Sequence, residues 1–484
     1  MAVKYLDGPF IFRLNDNGSG PHLLIQVCTE RGWREYTGEN NVFKDRWNLW
    51  WRSGGFPLPH YKLLLPWQFI NRIPKGSSIC RKDNLIRHLR CMKKMHGISP
   101  VGYNLPSEYT KLAEECNRCE HDRVWICKPV GQSQGKGIFL FRKLSDLTYD
   151  NAAVVQRYIE NPFLIGGYKF DLRLYVCVPS YRPLTIYLYK EGLARFATEK
   201  FSLEHLNDPF RHLTNFSLNK LGPGYSEKKE RVGSGIKPLS LVKLISCKWT
   251  FRQLRRYFEQ AGYYDWFLWQ RIACLITLTI LSQAASIPKS SNCFEFFGFD
   301  VLIDRNLKPW LLEVNLSPAL SNDCEIDSEV KKPLLHDLFD LLGLPLRQST
   351  INNSSNLWSR YNPLLVDKYV PRGFQGNNPE SNNKTSIWDN GKDWSTPCAR
   401  EGGWVRIYPL IRIKSENTVD YVSSLSDTTK IAEKETRNVV LSIQKYLKAA
   451  KEVHKKNEKY RDEQYNATLR KMLELNTEIW LPSK

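Results

Sequence analysis

The sequence contains no apolar run long enough to cross a membrane. A membrane-spanning helix needs about 20 consecutive apolar residues, whereas the strongest run covers residues 272–281 and includes the polar residues Thr277 and Thr279. Gln270 and Arg271 stand immediately before this run. We therefore predict a buried core helix at this position and no membrane insertion.

Acidic residues are the minority charge, and no motif for binding RNA or DNA is visible. Lysine and arginine number 70 against 50 aspartates and glutamates, which gives a formal net charge of +20. Such a surface attracts a polyanion, which can be a nucleic acid, a membrane surface or an acidic protein. Because the nucleic-acid motifs are missing, we expect no nucleic-acid partner.

The cysteines show no pairing pattern. All 12 of them are scattered along a large chain without a visible secretory signal, so we expect reduced thiols and a cytoplasmic location. Cys116, Cys119 and His121 have the spacing of half a zinc site. Since no second ligand pair has a matching spacing, we do not expect zinc there.

The chain can hold a large core with more than one subdomain, and its character changes after residue 345. Residues 349–383 are rich in Asn, Ser, Gly and Pro, which predicts low order because little apolar surface can be buried. A charged helix is predicted from residue 428 to about 475. Its lysine stripe comprises Lys445, Lys448, Lys451, Lys455 and Lys459. The stripe is either a solvated helix face or a contact for an acidic polymer.

Two neighbouring apolar segments near residue 310 carry a cluster of oxygen ligands. They read as strands joined by a polar turn at residues 304–306. Side chains two residues apart share one face of a strand, so Glu313 and Asn315 point the same way, and Asp300 on the partner strand can reach them. Carboxylate and amide oxygens suit Mg²⁺, which takes its remaining ligands from phosphate and water. The alternative is an exposed polar face of a hairpin.

A glycine-rich loop follows the apolar strand at residues 124–127. Its sequence from Lys128 to Ile138 contains three glycines and Lys136. Backbone N–H groups can approach a phosphate closely where no Cβ intervenes. The Walker pattern is absent, because the chain continues as a second strand. The loop is therefore predicted to be a hairpin flap over phosphates, or else an ordinary hairpin.

Two further strands have features of a nucleotide site. Residues 154–159 form a short apolar strand whose backbone can meet an adenine edge. In the next strand Lys169, Asp171 and Arg173 alternate with apolar residues, so one face is charged. That face suits phosphates and ribose, and the alternative is a solvated sheet face.

The ordered set of these motifs resembles the tubulin tyrosine ligase-like family, in its polyglutamylase branch. The motifs are Lys128-Pro129, residues 156–159, 169–173, 212–215, 298–300 and 312–318. The resemblance implies an α+β, ATP-grasp fold and a largely disordered, partly helical tail. The implied divisions are an N-terminal subdomain (1–124), a central lobe (125–190), a C-terminal lobe with the magnesium site (191–345), a low-order linker (346–427) and a basic helix (428–476).

The resemblance also implies roles for single residues. ATP would be held by Lys128, Gln134, Gly135, Lys136, Gln156, Arg157, Tyr158, Ile159, Lys169, Phe170, Asp171, Thr214 and Asn215. Two Mg²⁺ ions would be bound by Asp300, Glu313 and Asn315. The catalytic residues would be Arg173, Arg195 and Asn215, and the substrates would meet Gln134, Arg195, Phe216 and Lys237.

The implied reaction is ATP-dependent addition of free L-glutamate to the γ-carboxylate of a glutamate in an acidic protein tail. The implied partners are tubulin or microtubule tails and accessory subunits of a complex, at cytoplasmic microtubules, with the cilium and basal body as further candidate locations. The tail beyond residue 375 is expected to be dispensable for ATP binding. Gln134 stands where the family commonly has Arg, Phe216 where it often has Tyr, and Pro238 after Lys237. Gln134 and Phe216 keep open the alternative of a catalytically weak, ATP-binding microtubule adaptor, against which the intact Asp300, Glu313 and Asn315 argue. A glycine ligase is the second alternative, and Lys237 favours glutamate over it.

Overall fold

The computed structural model describes residues 10–37, 47–91, 98–118, 123–149, 151–222, 248–346, 387–409, 429–456, 460–475 and 478–484, with the backbone only for 429–434. The helices are α1 His22–Glu30, α2 Leu58–Lys62, α3 Lys82–Cys91, α4 Tyr109–Arg118, α5 Pro209–His212, α6 Phe216–Asn219, α7 Phe251–Gln260, α8 Trp266–Ala284, α9 Glu325–Leu341, α10 Thr429–Lys456 and α11 Asp462–Leu473. The strands are β1 Ile11–Leu14, β2 Arg34–Glu35, β3 Leu49–Trp51, β4 Phe69–Ile70, β5 Gly102–Leu105, β6 Trp125–Pro129, β7 Phe139–Phe141, β8 Ala153–Arg157, β9 Leu164–Ile165, β10 Tyr168–Tyr181, β11 Leu184–Tyr189, β12 Leu193–Lys200, β13 Lys248–Thr250, β14 Glu295–Ile303, β15 Pro309–Asn315, β16 Arg400–Glu401 and β17 Trp404–Tyr408.

Strand β10 is the centre of a large sheet of nine strands. It runs antiparallel to β12 and β14 in its first part and to β11 at its end. All of its residues after Tyr168 are buried, so both sheet faces are covered. Its charged residues therefore lie inside the protein, and the alternative of a solvated sheet face is wrong.

Helix α8 packs across the large sheet, as the sequence predicts. Its side chains are apolar all round, which is typical of a helix that is buried on every side. The apolar run at 272–281 is part of this helix of 19 residues, whose length and mean hydropathy would allow it to cross a membrane, but 83% of its most apolar window is buried inside the fold. It contacts the sheet, α3 and α10, as in the core helix of a folded domain.

A smaller antiparallel sheet has the strand order β5-β8-β6-β7. Its core contains Trp125, Phe141 and Val155, packed with Leu112 of α4. Strands β6 and β7 pair directly, with Trp125 opposite Phe141. The glycine-rich segment therefore closes a hairpin between them, which confirms the predicted geometry of the loop.

The N-terminal strands form a separate parallel sheet, β2-β1-β3-β4. Helix α1 packs on α9, and the two share one apolar cluster. The buried Arg31 fixes this contact, because its Nη2 donates to Asp340 Oδ1 at 2.7 Å and to the carbonyl of Leu344 at 2.9 Å. The N-terminal sheet is thus anchored to the same helix that packs on the large sheet.

The strands group differently from the predicted subdomain boundaries. Strand β5 begins at residue 102 and pairs with β8, so the small sheet starts before the predicted boundary at 125. Strands β10 and β11, predicted in the central lobe, belong to the large sheet together with β12. The reason is that β10 is long enough to pair with strands on both sides of residue 190.

The predicted low-order linker is wrong for residues 387–409. Strand β17 pairs antiparallel with β11 and adds Trp404, Val405 and Ile407 to the core. Residues 404–408 are apolar or aromatic except for Arg406, and all five are buried. They form a strand by pairing with β11, which lies more than 200 residues earlier in the chain. Apart from residue 346, the other linker residues lie outside the described part of the chain.

The predicted basic helix is two helices, and one face of α10 is part of the core. Tyr446, Ala450 and Val453 are buried against α8. On the opposite face Lys445, Lys448, Lys451 and Lys455 are exposed, while Lys459 lies outside the described residues. The expected dispensability of this segment is therefore not consistent with the structure, since removing it would uncover α8.

Candidate functional site

A cleft that is open to solvent separates the small sheet from the large one. Most of the predicted ATP and metal residues line it: Lys128, Gln134, Gly135, Lys136, Gln156, Arg157, Tyr158, Ile159, Lys169, Asp171, Thr214, Asn215, Asp300 and Glu313. We refer to it as the central cleft. All six of the sequence motifs contribute residues to it. The small sheet carries the motifs at 128–129 and 156–159, and strands β10, β14 and β15 of the large sheet carry those around 171, 300 and 313.

The carboxylates of Asp300 and Glu313 face each other in this cleft. Strands β14 and β15 pair with Asp300 opposite Glu313 and Gly298 opposite Asn315. Asn315 Nδ2 donates to Asp300 Oδ2 at 3.1 Å and lies 3.4 Å from Glu313 Oε1. The three oxygen-bearing side chains therefore lie together, as the sequence predicts.

The two carboxyl groups have opposite pKa shifts. Burial raises the pKa of Glu313, and the negative charge of Asp300 raises it further. Burial also opposes ionisation of Asp300, but the guanidinium groups of Arg173 and Arg195 outweigh it and hold its pKa well below the usual range. A cation between the two groups would relieve the repulsion between their charges.

The donor set suits a hard divalent cation. Among the described residues there is no group of three or more His, Cys, Asp or Glu side chains that could hold a metal, so a cation here would have two carboxylates and one amide from the protein. Mg²⁺ is bound in this way when phosphate and water complete its shell. The two facing carboxylates and the amide, which are all oxygen ligands, therefore fit Mg²⁺ better than zinc.

A ladder of charges crosses three strands below the cleft. Arg173 makes a double hydrogen bond with Asp300, at 2.6 and 3.0 Å. Arg195 binds Asp171 at 2.8 and 2.5 Å and reaches Asp300 Oδ2 at 2.9 Å. All four side chains are buried. Each guanidinium is thus held in one orientation by carboxylates on neighbouring strands.

Two buried lysines stand above this ladder. Lys128 Nζ donates to Gln156 Oε1 at 2.8 Å, and Lys169 Nζ donates to Tyr158 Oη at 2.9 Å and to the carbonyl of His212 at 2.6 Å. Burial lowers the pKa of Lys128 to about 8 and that of Lys169 to about 7. Both lysines lack a carboxylate in contact within the described part of the chain, so an anion would be their natural counter-charge.

The hairpin loop approaches the opposite wall at Gly135. This residue has a φ of 81°, and a Cβ there would meet Asn215 Oδ1 at 3.1 Å. Glycine is therefore favoured by the backbone conformation, and a Cβ at this position would press on the side chain of Asn215. The preceding Gln134 also has a positive φ, 61°, and its side chain is exposed.

Several predicted residues do not line the cleft. Phe170 is buried in the core, with its ring 5.3 Å from that of Phe196. Phe216 packs under Lys248, whose Nζ lies 3.8 Å from the ring centre. Arg173, Arg195 and Asn315 do not line the cleft themselves, but each of them contacts Asp300, which does. Lys237 lies outside the described residues, as do Cys119 and His121 of the half zinc pattern.

Two of the lining residues that were given no role by the sequence make side-chain hydrogen bonds inside the site. Lys82, at the start of α3, donates to the carbonyls of Pro129 and Gln132 at 3.2 and 2.6 Å and so holds the hairpin loop. His212 is part of a motif that was recognised, but only its neighbours Thr214 and Asn215 were assigned. No local pattern marks Lys82, because its function depends on a loop almost 50 residues further along.

A comparison with known protein families gives a match over the part of the chain that forms the central cleft. The family model described as "Tubulin-tyrosine ligase family" matches residues 61–352, a range that contains every residue of the cleft. The chain therefore belongs to the tubulin-tyrosine ligase family.

The chain is also similar to individual proteins. The chain is 44% identical over 347 residues to "Probable tubulin polyglutamylase TTLL2" of Homo sapiens, covering 69% of this chain and 56% of the relative. It is also 44% identical over 346 residues to the Mus musculus protein of that name, covering 69% and 62%. "Tubulin polyglutamylase TTLL5" of Mus musculus is 38% identical over 364 residues, covering 71% and 26%. The chain thus spans less than two thirds of the length of these relatives.

Proposed function

We propose that this protein is an ATP- and Mg²⁺-dependent ligase that adds glutamate to the γ-carboxylate of glutamates in acidic protein tails, with tubulin as the substrate. The observation that carries the proposal is the pair of facing carboxylates, Asp300 and Glu313, beside the lysines of the central cleft. The names of the relatives, which are tubulin polyglutamylases, support the choice of substrate.

Different residues of the central cleft would contact different parts of ATP. Lys128 and Lys169 offer ammonium groups to the phosphates, and the loop backbone around Gly135 offers N–H donors. The segment 156–159 borders the cleft with apolar neighbours and suits adenine. Mg²⁺, when bound by Asp300, Glu313 and Asn315, supplies neutralisation of phosphate charge.

The proposed chemistry has two steps. An oxygen of the acceptor γ-carboxylate attacks the γ-phosphorus of ATP, and ADP leaves. The amine of free glutamate then attacks the acyl carbon, loses a proton and expels inorganic phosphate. Positioning and charge stabilisation supply most of such catalysis. The charge ladder holds Arg173 and Arg195 beside Asp300, and their positive charges would stabilise the negative charge of the transferred phosphate. Thr214 and Asn215 stand at the same wall.

The lysines predict a pH dependence of nucleotide binding. The free protein has a Lys169 pKa of about 7, and a bound phosphate would raise it. Affinity for ATP should therefore be greatest below pH 7 and fall above it, by at most about tenfold per pH unit for one proton. Titration calorimetry at pH 8 in two buffers of different ionisation enthalpy should show proton uptake on binding. Binding without proton uptake would contradict the assignment of Lys169 to the phosphates.

The amino acid specificity is predicted to favour glutamate. Lys237 can pair with the side-chain carboxylate that glutamate has and glycine lacks. Tubulin should be incubated with the protein, ATP, Mg²⁺ and labelled glutamate or glycine, and its tails should be analysed by mass spectrometry. We expect glutamate incorporation and little glycine, while glycine entering equally fast would favour a glycine ligase.

Accessory subunits form part of the proposal. Gln134 is exposed at the loop where the family commonly has a charged residue, and Phe216 lacks a hydroxyl. Both departures favour a requirement for partner subunits. If ATP binds but neither amino acid is incorporated, the alternative of a microtubule-associated adaptor gains support. We propose a location at cytoplasmic microtubules, with cilium and basal body included.

A further inference from the structure

A buried chain of hydrogen bonds runs from Lys169 to the backbone of residue 205. Lys169 Nζ lies 2.9 Å from Tyr158 Oη, which lies 3.0 Å from His212 Nδ1. His212 Nε2 lies 2.9 Å from the carbonyl oxygen of His205. The side chains of Lys169, Tyr158 and His212 are all buried, so water does not compete for these bonds.

The chemistry of the groups fixes the direction of the chain. An ammonium group can only donate, so Tyr158 Oη accepts from Lys169 and its own hydrogen is directed to His212 Nδ1. His212 then carries its proton on Nε2 and donates to the carbonyl of His205. This arrangement requires a neutral imidazole. Burial, assisted by the charge of Lys169, lowers the pKa of His212 and favours that form.

The same bonds orient the ammonium group of Lys169. Two of its three N–H donors are directed to Tyr158 Oη and to the carbonyl of His212. The group also lies 4.6 Å from the centre of the Tyr158 ring, on its face. The third donor is left for the central cleft, which Lys169 lines.

We propose that Tyr158 and His212 are positioning residues, which through this chain aim the Lys169 ammonium at the nucleotide phosphates and join it to residues 212–215. The inference rests on the proposed nucleotide site and deepens it. The segment 212–215 carries Thr214 and Asn215, which also line the central cleft. Binding of phosphate at Lys169 and the placement of Thr214 and Asn215 are therefore coupled.

Removal of the Tyr158 hydroxyl has a defined electrostatic consequence. The ammonium of Lys169 loses one acceptor in a buried site, so its charged form is less stable and its pKa falls. The charged groups that face Lys169 are Asp171 from its own strand and Lys128 from β6. Those that face His212 are Lys169, Asp208 and Arg211. All remain in a Tyr158→Phe variant, so a shifted pH dependence reports the hydroxyl.

The test is titration of the full chain with ATP between pH 6 and 9. Tyr158→Phe is expected to weaken ATP binding about tenfold, the effect of one lost hydrogen bond to a charged group, and to move the midpoint of the pH dependence downward. Tyr175→Phe is the matched control. Tyr175 lies on the same strand as Lys169, and within the described part of the chain its buried hydroxyl has no hydrogen-bond partner. This variant should keep the wild-type affinity and midpoint.

A second pair of variants separates positioning from folding. His212→Asn places a carbonyl oxygen near the position of Nδ1 and should keep the wild-type midpoint, whereas His212→Leu should behave like Tyr158→Phe. This pair decides the question if Tyr158→Phe does not fold. If all four variants had the affinity and the midpoint of the wild type, the inference would be overturned. Wild-type affinity in Lys169→Met would instead overturn the proposed phosphate site, which is a distinct result.

Discussion

Glu313→Gln is expected to abolish ligation and to leave the fold intact. The substitution keeps the shape of the side chain and its contact with Asn315. It removes the charge with which Glu313 would bind Mg²⁺ opposite Asp300. A single electrostatic contact to the transition state is worth about 3–4 kcal/mol, so turnover should fall by about two to three orders of magnitude. The rate is measured as label incorporation into tubulin at several Mg²⁺ concentrations.

The matched control is Glu401→Gln, which makes the same change on strand β16 at the edge of the large sheet. Its rate should equal that of the wild type, and both variants should unfold at the wild-type temperature. A Glu313→Gln variant with the wild-type rate and the wild-type Mg²⁺ requirement would show that the facing carboxylates do not form the metal site.

Trp480→Ala is expected to destabilise the entire fold, although the residue lies four positions from the C-terminus. Its ring is buried 5.9 Å from that of Trp269. Its Nε1 donates to the carbonyl of Tyr189 at 3.2 Å, and its own carbonyl accepts from Gln270. Truncation of such a side chain costs about 3–5 kcal/mol. Urea unfolding followed by intrinsic fluorescence and by ATP binding should show both signals lost together at a lower urea concentration.

A surface substitution on α10 provides the contrast. Lys448→Gln changes the exposed lysine stripe and should alter stability by no more than about 0.5 kcal/mol. It is also the appropriate way to test the stripe as a contact for an acidic polymer, by co-sedimentation with microtubules at two salt concentrations. If Trp480→Ala were as stable as Lys448→Gln, the C-terminal residues would not be part of the core.

The local parts of the site could be predicted because their patterns repeat within a few residues. The alternation around Glu313 and Asn315 predicts a strand with a polar face, and the polar turn predicts its partner carrying Asp300. The hairpin at the glycine-rich loop follows in the same way from two short apolar strands. Residues 272–281 are too apolar to be anything but buried, and α8 confirms it.

The remaining features depend on pairing between distant segments. The register of β10 against β12 places Arg195 opposite Asp171, so the charges on the face of β10 are balanced by a neighbouring strand. That register cannot be predicted from the sequence of either strand alone. Strand β17 is five residues long within a polar region and becomes recognisable only beside β11. The chain from Lys169 through Tyr158 to His212 joins three motifs that were each read for their own ligand contacts.

The most direct test of the proposed ligase is the fate of oxygen in the acceptor carboxylate. A tubulin-tail peptide labelled with oxygen-18 in its glutamate γ-carboxylates is incubated with the protein, ATP, Mg²⁺ and glutamate. If the carboxylate attacks the γ-phosphorus, each new amide bond is accompanied by transfer of one labelled oxygen to inorganic phosphate, which mass spectrometry detects. Amide formation with unlabelled phosphate, or phosphate release without amide formation, would contradict the account.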